Sequence, residues 1–71
     1  MTDTKMERLG LLVRLARKEQ GLTQEQLSAT TGIGVRFIRE LEQGKASCQI
    51  GKVLLVLSML GLDVHVKGEA L

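Results

Sequence analysis

Aromatic side chains are nearly missing from this chain. It has no Trp and no Tyr, and Phe37 is its one Phe. Proteins that hold single-stranded nucleic acid usually stack bases on aromatic platforms, so that class of ligand is disfavoured. Cysteine and histidine are equally scarce, with Cys48 and His65 as single examples. A disulfide framework is therefore excluded, no metal-ligand spacing can be drawn, and no cofactor is expected. No nucleophile–base–orienter set can be assembled either, so an enzyme is not expected. Cys48 reads as a small packing residue, and His65 as a residue on the polar side of a strand. Long hydrophobic runs are also lacking. The apolar stretch 53–60 falls about ten residues short of a membrane span. Residues 1–5 are polar and show no secretory pattern. With a free cysteine, these features point to a cytoplasmic protein.

Charge of one sign is not in great excess: ten Lys and Arg against eight Asp and Glu give a net charge of +2. That balance permits a nucleic-acid partner without demanding one, so the placement of the charges matters more than their sum. Seventy-one residues suffice for one small domain. A core of that size is marginal for a chain alone, which makes dimerisation an attractive source of stability. No linker, repeat or low-complexity segment divides the chain, so residues 1–71 read as a single domain.

What is present is helical punctuation. After a polar start, with Asp3 or Thr4 as cap, a first helix is expected over 5–20. Leu9, Val13 and Ala16 form its apolar stripe, joined by Leu12, and Gly21 is its stop. A second helix opens at Thr23, which forms a capping box with Gln26. Leu27 is its core residue, supported by Ala29, and Gly32 and Gly34 supply permissive backbone for the turn that follows. A third helix is expected over 35–43, burying Phe37, Ile38 and Leu41 and ending at Gly44. A fourth, over 50–60, is apolar around nearly its whole circumference. Such a helix must be buried all round, and a second chain is the expected cover. After Gly61 the period changes to two: Leu62, Val64 and Val66 alternate with Asp63, His65 and Lys67. This reads as a half-buried strand over 62–67. With no second strand in the chain, its expected partner is the same strand of a symmetry-related copy, making Leu62, Val64 and Val66 a dimer interface. Residues 68–71 read as a frayed tail. The expected fold is all-α, four helices in a compact bundle with a short C-terminal strand paired across a dimer.

The segment TQEQLSATTGIGVRFIRELEQGK, residues 23–45, carries the functional signal. Two short helices joined by a tight glycine turn can place the second in a DNA major groove while the first braces it. Arg36 and Arg39, three apart, share a helix face, and arginine donates two bonds to guanine O6 and N7. A solvated pair, with Arg39 bonded to Glu42 or Glu40, is the plain alternative. Glu40 either accepts from cytosine N4 or orients Arg36 from the i+4 position, the second role being favoured. Val35 meets a thymine methyl or is merely exposed. Thr23 caps its helix in any case. With Gln24 it sits where free N–H groups and the helix dipole favour phosphate. Lys45, just past the third helix, suits a nonspecific ionic contact. Leu11 and Leu15 lie four apart, rotated off the main stripe. They either pack against the C-terminal end or form a surface for a partner.

Residues 9–61 resemble the Xre/Cro/CI-type helix-turn-helix family, whose fold is lambda-repressor-like. The matching pieces are LGLLVRLARKEQGLTQEQL, TTGIG, FIRELEQGK and VLLVLSMLGL. The compact helical unit followed at once by GLDVHV is similar, more narrowly, to the HipB-like antitoxins. That resemblance implies strand pairing across a dimer and a HipA-like kinase toxin as partner. Family roles then fall on Arg17 and Glu42 as an ion pair, expected to be partly exposed and so to contribute little net stability, and on Thr23 and Gln24 as phosphate contacts. The reading positions are Gly34, Val35, Arg36, Arg39 and Glu40, with Lys45 following. Gly34 departs from the Ser or Thr common there, and Gly51 slightly weakens the fourth helix. The expected function is a repressor of prokaryotic transcription, bound to an inverted repeat in double-stranded DNA and nucleoid-associated when so bound. In the preferred role it is antitoxin and autoregulator of a HipBA-like operon. A stand-alone phage-type or restriction-controlling regulator, and a protein-interaction module, are the alternatives.

Overall fold

The computed structural model describes residues 4–71. Four helices come first: α1 (Lys5–Glu19), α2 (Gln24–Thr31), α3 (Val35–Glu42) and α4 (Ile50–Met59). Two short strands, β1 (His65–Val66) and β2 (Glu69–Ala70), close the chain. Asp3, the other candidate cap of the first helix, lies outside the described residues. Thr4 caps α1: its hydroxyl accepts from the Glu7 N–H at 3.0 Å, while Glu7 Oε1 accepts from the Thr4 N–H at 2.9 Å. The same reciprocal box opens α2 between Thr23 and Gln26, at 3.0 and 2.8 Å.

The core gathers Val13 and Ala16 of α1, Leu27 of α2, Ile38 and Leu41 of α3, and Val53, Val56 and Leu57 of α4. Leu60, after α4, and Ile33, in the turn before α3, complete it. Helix α3 packs on both α1 and α2, and α4 closes against α2. Gln20 ties the far ends of α1 and α4 by donating its side-chain amide to the Leu60 carbonyl at 2.8 Å. Gly10 lets α1 approach α3 closely. A Cβ built there would clash with the Leu41 carbonyl oxygen and stand 2.8 Å from that of Glu42.

Three expectations about packing need correction. Leu12 is 56% exposed, because the buried stripe of α1 runs through Gly10, Val13, Ala16 and Arg17 and leaves Leu12 beside it. Ala29 is exposed and lends Leu27 no support from the core side. Gly34 adopts φ −58°, open to any residue, so Gly32 alone, at φ 75°, carries the left-handed step of the turn.

The largest correction concerns the C-terminus. The strand does have a partner in its own chain. β1 pairs antiparallel with β2, matching His65 with Ala70 and Val66 with Glu69. Lys67 and Gly68, at φ 51° and 84°, form the two-residue turn. Two successive left-handed residues match the twist of a tight hairpin. The Leu71 N–H adds a bond to the Val64 carbonyl at 2.9 Å, so the expected tail is part of the hairpin. Leu62 and Val64 are half-buried against this chain's own core, whereas Val66 is 56% exposed. The expected dimer strand is thus shorter than 62–67 and already paired on one edge.

Candidate nucleic-acid interface

Helix α3 has two unlike sides. Ile38 and Leu41 are fully buried and Phe37 is half-buried. Lys52 of α4 lies over the Phe37 ring, 5.6 Å from its centre, a cation–π contact that covers the ring's outer face. Away from the core, the Arg36 side chain is 85% exposed. Arg39 is exposed, and Val35 is half-buried at the helix start. Gly34 precedes α3 without a side-chain cap, so no hydroxyl occupies the first N–H groups of the helix.

Glu40 organises the outer side. Its Oε2 meets Lys45 Nζ at 3.1 Å and Arg36 Nε at 3.5 Å. The hydrogen bond from Lys45, aided by the charges of Lys45 and Arg36, holds the Glu40 carboxyl below its usual range. Lys45 is fixed twice by the same residue. Gly44, at φ 82°, turns the chain so that the Lys45 N–H reaches back to the Glu40 carbonyl at 3.1 Å. That is the six-to-one bond of a Schellman stop. A basic side chain is thereby placed beside the last turn of α3.

The end of α1 is locked to the end of α3 by charge. Arg17 Nε and Nη2 donate to the two carboxylate oxygens of Glu42 at 2.6 and 3.0 Å, and Nη1 donates to the Leu22 carbonyl at 2.8 Å. The side chains are 9% and 4% exposed, so this is a buried pair rather than the partly exposed one expected from sequence. The bond to Glu42 raises the Arg17 guanidinium above its ordinary value against the effect of burial. Gln24 joins the pair, donating its amide to Glu42 Oε1 at 3.1 Å. Thr23 gives its hydroxyl to the capping box.

The structure brings together residues that the sequence did not. Arg14, Arg17, Gln24, Arg39, Glu42 and Gln43 line a polar cleft of about 250 Å³. Arg14 and Gln43 belong to no motif of their own, although Arg14 lies three residues before Arg17 and Gln43 four after Arg39, spacings that share a helix face. On the apolar side, a groove of about 440 Å³ runs between α1 and the segment before the hairpin, lined among others by Leu12, Leu15, Leu62 and Val64. Leu15 remains 48% exposed there and Leu11, outside the groove, 53%. Burial in an apolar setting pushes the Cys48 thiol up, which keeps it protonated and a poor nucleophile. Among the described residues no cluster of three or more His, Cys, Asp or Glu side chains could hold a metal ion. No helix there is long and apolar enough to cross a membrane.

Comparison with known proteins agrees with this geometry. Residues 13–66 match the helix-turn-helix family. A curated relative from Sinorhizobium fredii (strain NBRC 101917 / NGR234), the uncharacterized HTH-type transcriptional regulator y4mF, is 52% identical over 63 residues. The alignment covers 86% of this chain and 83% of that protein. Among solved structures, a chain of the HipA–HipB–O2–O3 complex and one titled MDT protein each superpose with a TM-score of 0.80. Each shows 21% identity and 93% coverage of both chains. At that identity the likeness is one of fold.

Proposed function

Because the chain belongs to the helix-turn-helix family, we propose that it is a sequence-specific repressor that binds an inverted repeat in double-stranded DNA as a homodimer. The observation that carries this reading is Arg36, 85% exposed on α3 with Glu40 beside its Nε. A guanidinium so presented offers paired donors to guanine O6 and N7. Glu40 serves as its orienter rather than as a reader of cytosine, since its Oε2 is already engaged by Arg36 and Lys45. Val35 is the candidate for a thymine methyl. The backbone N–H groups after Gly34, the start of α2 at Thr23 and Gln24, and Lys45 face phosphates. Arg39 belongs to the same DNA face.

A homodimer is supported by what one chain leaves uncovered. Leu54, Leu55 and Met59 of α4 and Val66 of the hairpin are exposed, and a second copy related by a two-fold axis would cover them. The finer role we assign is antitoxin and autoregulator of a HipBA-like operon, with a HipA-like kinase toxin as partner and Leu11 and Leu15 as its surface. Its support is the fold shared with a chain of the HipA–HipB–O2–O3 complex.

Selection from genomic DNA fragments, followed by binding measurements across a salt series, tests the DNA reading. One shared inverted repeat is expected among the retained fragments. Fragments without common sequence, bound equally well, would overturn it. For the partner, the neighbouring reading frame should encode a kinase-like protein that co-purifies with the parent but not with a Leu11→Gln, Leu15→Gln variant still able to bind DNA. A neighbour of another kind would leave a stand-alone regulator.

A further inference from the structure

The polar cleft lies where α1, the start of α2 and the end of α3 converge. Its one carboxylate is fully engaged: Glu42 accepts from Arg17 through both oxygens and from Gln24 through Oε1. Arg17 and Glu42 therefore cancel, and Arg14 and Arg39 leave the cleft with two positive charges. Both arginines are exposed, and neither makes an ion pair with another described residue. Two unpaired guanidiniums from different helices at one concavity repel each other until an anion lies between them. Arg36 is in a different situation, because Glu40 already faces it. Although Arg36 and Arg39 are only three residues apart, Arg39 turns to the α1 side and Arg36 does not line this cleft.

We propose that the cleft seats one phosphodiester group of the DNA backbone between Arg14 and Arg39, so that Arg39 is a phosphate ligand and Arg36 alone of the pair reads bases. The assignment rests on the duplex-DNA reading above and divides the labour within α3. Guanidinium forks match the geometry of phosphate oxygens, and a phosphate held from two helices fixes the protein's register on the duplex without reading sequence. Gln43, four residues after Arg39, adds an amide donor at the rim. The buried Arg17–Glu42 pair acts as the floor that keeps α1 and α3 at the right separation.

The test uses the full chain, the duplex recovered by selection, and a scrambled duplex of equal length, with affinity followed by fluorescence anisotropy from about 50 to 200 mM salt. Arg14→Gln and Arg39→Gln should each weaken both duplexes by the same factor and leave their ratio unchanged. In the dimer, which carries two such clefts, the double variant should flatten the salt slope by about 1.8, the value of one phosphate per protomer rather than two. Arg8→Gln, an exposed change on α1 outside the cleft, should match the parent. A changed preference between the duplexes in Arg39→Gln would make Arg39 a base reader and overturn the assignment. So would an Arg14→Gln variant indistinguishable from Arg8→Gln. A parent that prefers neither duplex would instead bring down the DNA reading itself, and this assignment with it.

Discussion

Gly10 governs how closely α1 sits on α3. A methyl group there meets the Leu41 and Glu42 carbonyl oxygens, which are backbone and cannot swing aside. Alanine gains about 1 kcal/mol of helix propensity over glycine, but overpacking costs about 1–3 kcal/mol and also displaces the buried Arg17–Glu42 pair. Gly10→Ala is therefore expected to lower stability, by up to about 2 kcal/mol net, in thermal or urea unfolding; a raised midpoint would show that the helices are free to separate. The residue was legible in principle, since Gly10, Val13 and Arg17 recur at three and four. A glycine in a helix carries no apolar mark, however, so only the contact reveals its use. Glu40 makes a second prediction. Its carboxyl is held below the usual range, chiefly by the hydrogen bond from Lys45. Its contribution is then fully present above the unfolded-state value and is lost as pH falls through the lower folded-state value. An NMR titration should show Glu40 taking up its proton at lower pH than an ordinary glutamate, and Lys45→Ala should move that midpoint upward. An unmoved midpoint would mean that the Lys45 contact does not persist in solution.

The helices were legible because their signals are local. Thr4 with Glu7, and Thr23 with Gln26, announce their starts, and the glycines at 21, 44 and 61 mark three ends. What sequence could not supply was the width of each buried face, hence the misplacing of Leu12 and Ala29. Ile33 stands alone among turn residues and so carries no periodic signal, yet it is 6% exposed. The hairpin was missed for a different reason. Lys67–Gly68 is not one of the strong turn dipeptides, and Glu69–Ala70 has no strand pattern of its own. β2 exists because the Lys67–Gly68 turn brings it beside β1. Gly68, at φ 84°, is the point at which to test that account. Gly68→Ala should strain the turn by about 1 kcal/mol and speed hydrogen exchange at the Leu71 amide, which bonds to Val64, while α1–α4 stay protected. Unchanged exchange at Leu71 would mean that the turn does not hold the strands together.

For the molecule as a whole, the exposed apolar face of α4 and the short hairpin leave room for a second copy, as proposed. Leu55 and Met59 are 43% and 44% exposed, so lysine at both should spare the chain's own core. Sedimentation is expected to give a monomer for Leu55→Lys, Met59→Lys, with affinity lost for the inverted repeat because two half-sites are no longer gripped together. A dimer of unchanged strength would place the interface elsewhere. The central claim, that α3 reads base edges in the major groove through Arg36, is tested most directly on the DNA. Guanines of the selected repeat would be replaced one at a time by 7-deazaguanine, which lacks the N7 acceptor, and affinities measured for the parent and for Arg36→Ala. One or two positions in each half-site should cost the parent about 1 kcal/mol and the variant nothing. Equal losses in both proteins, or none at any guanine, would contradict the account.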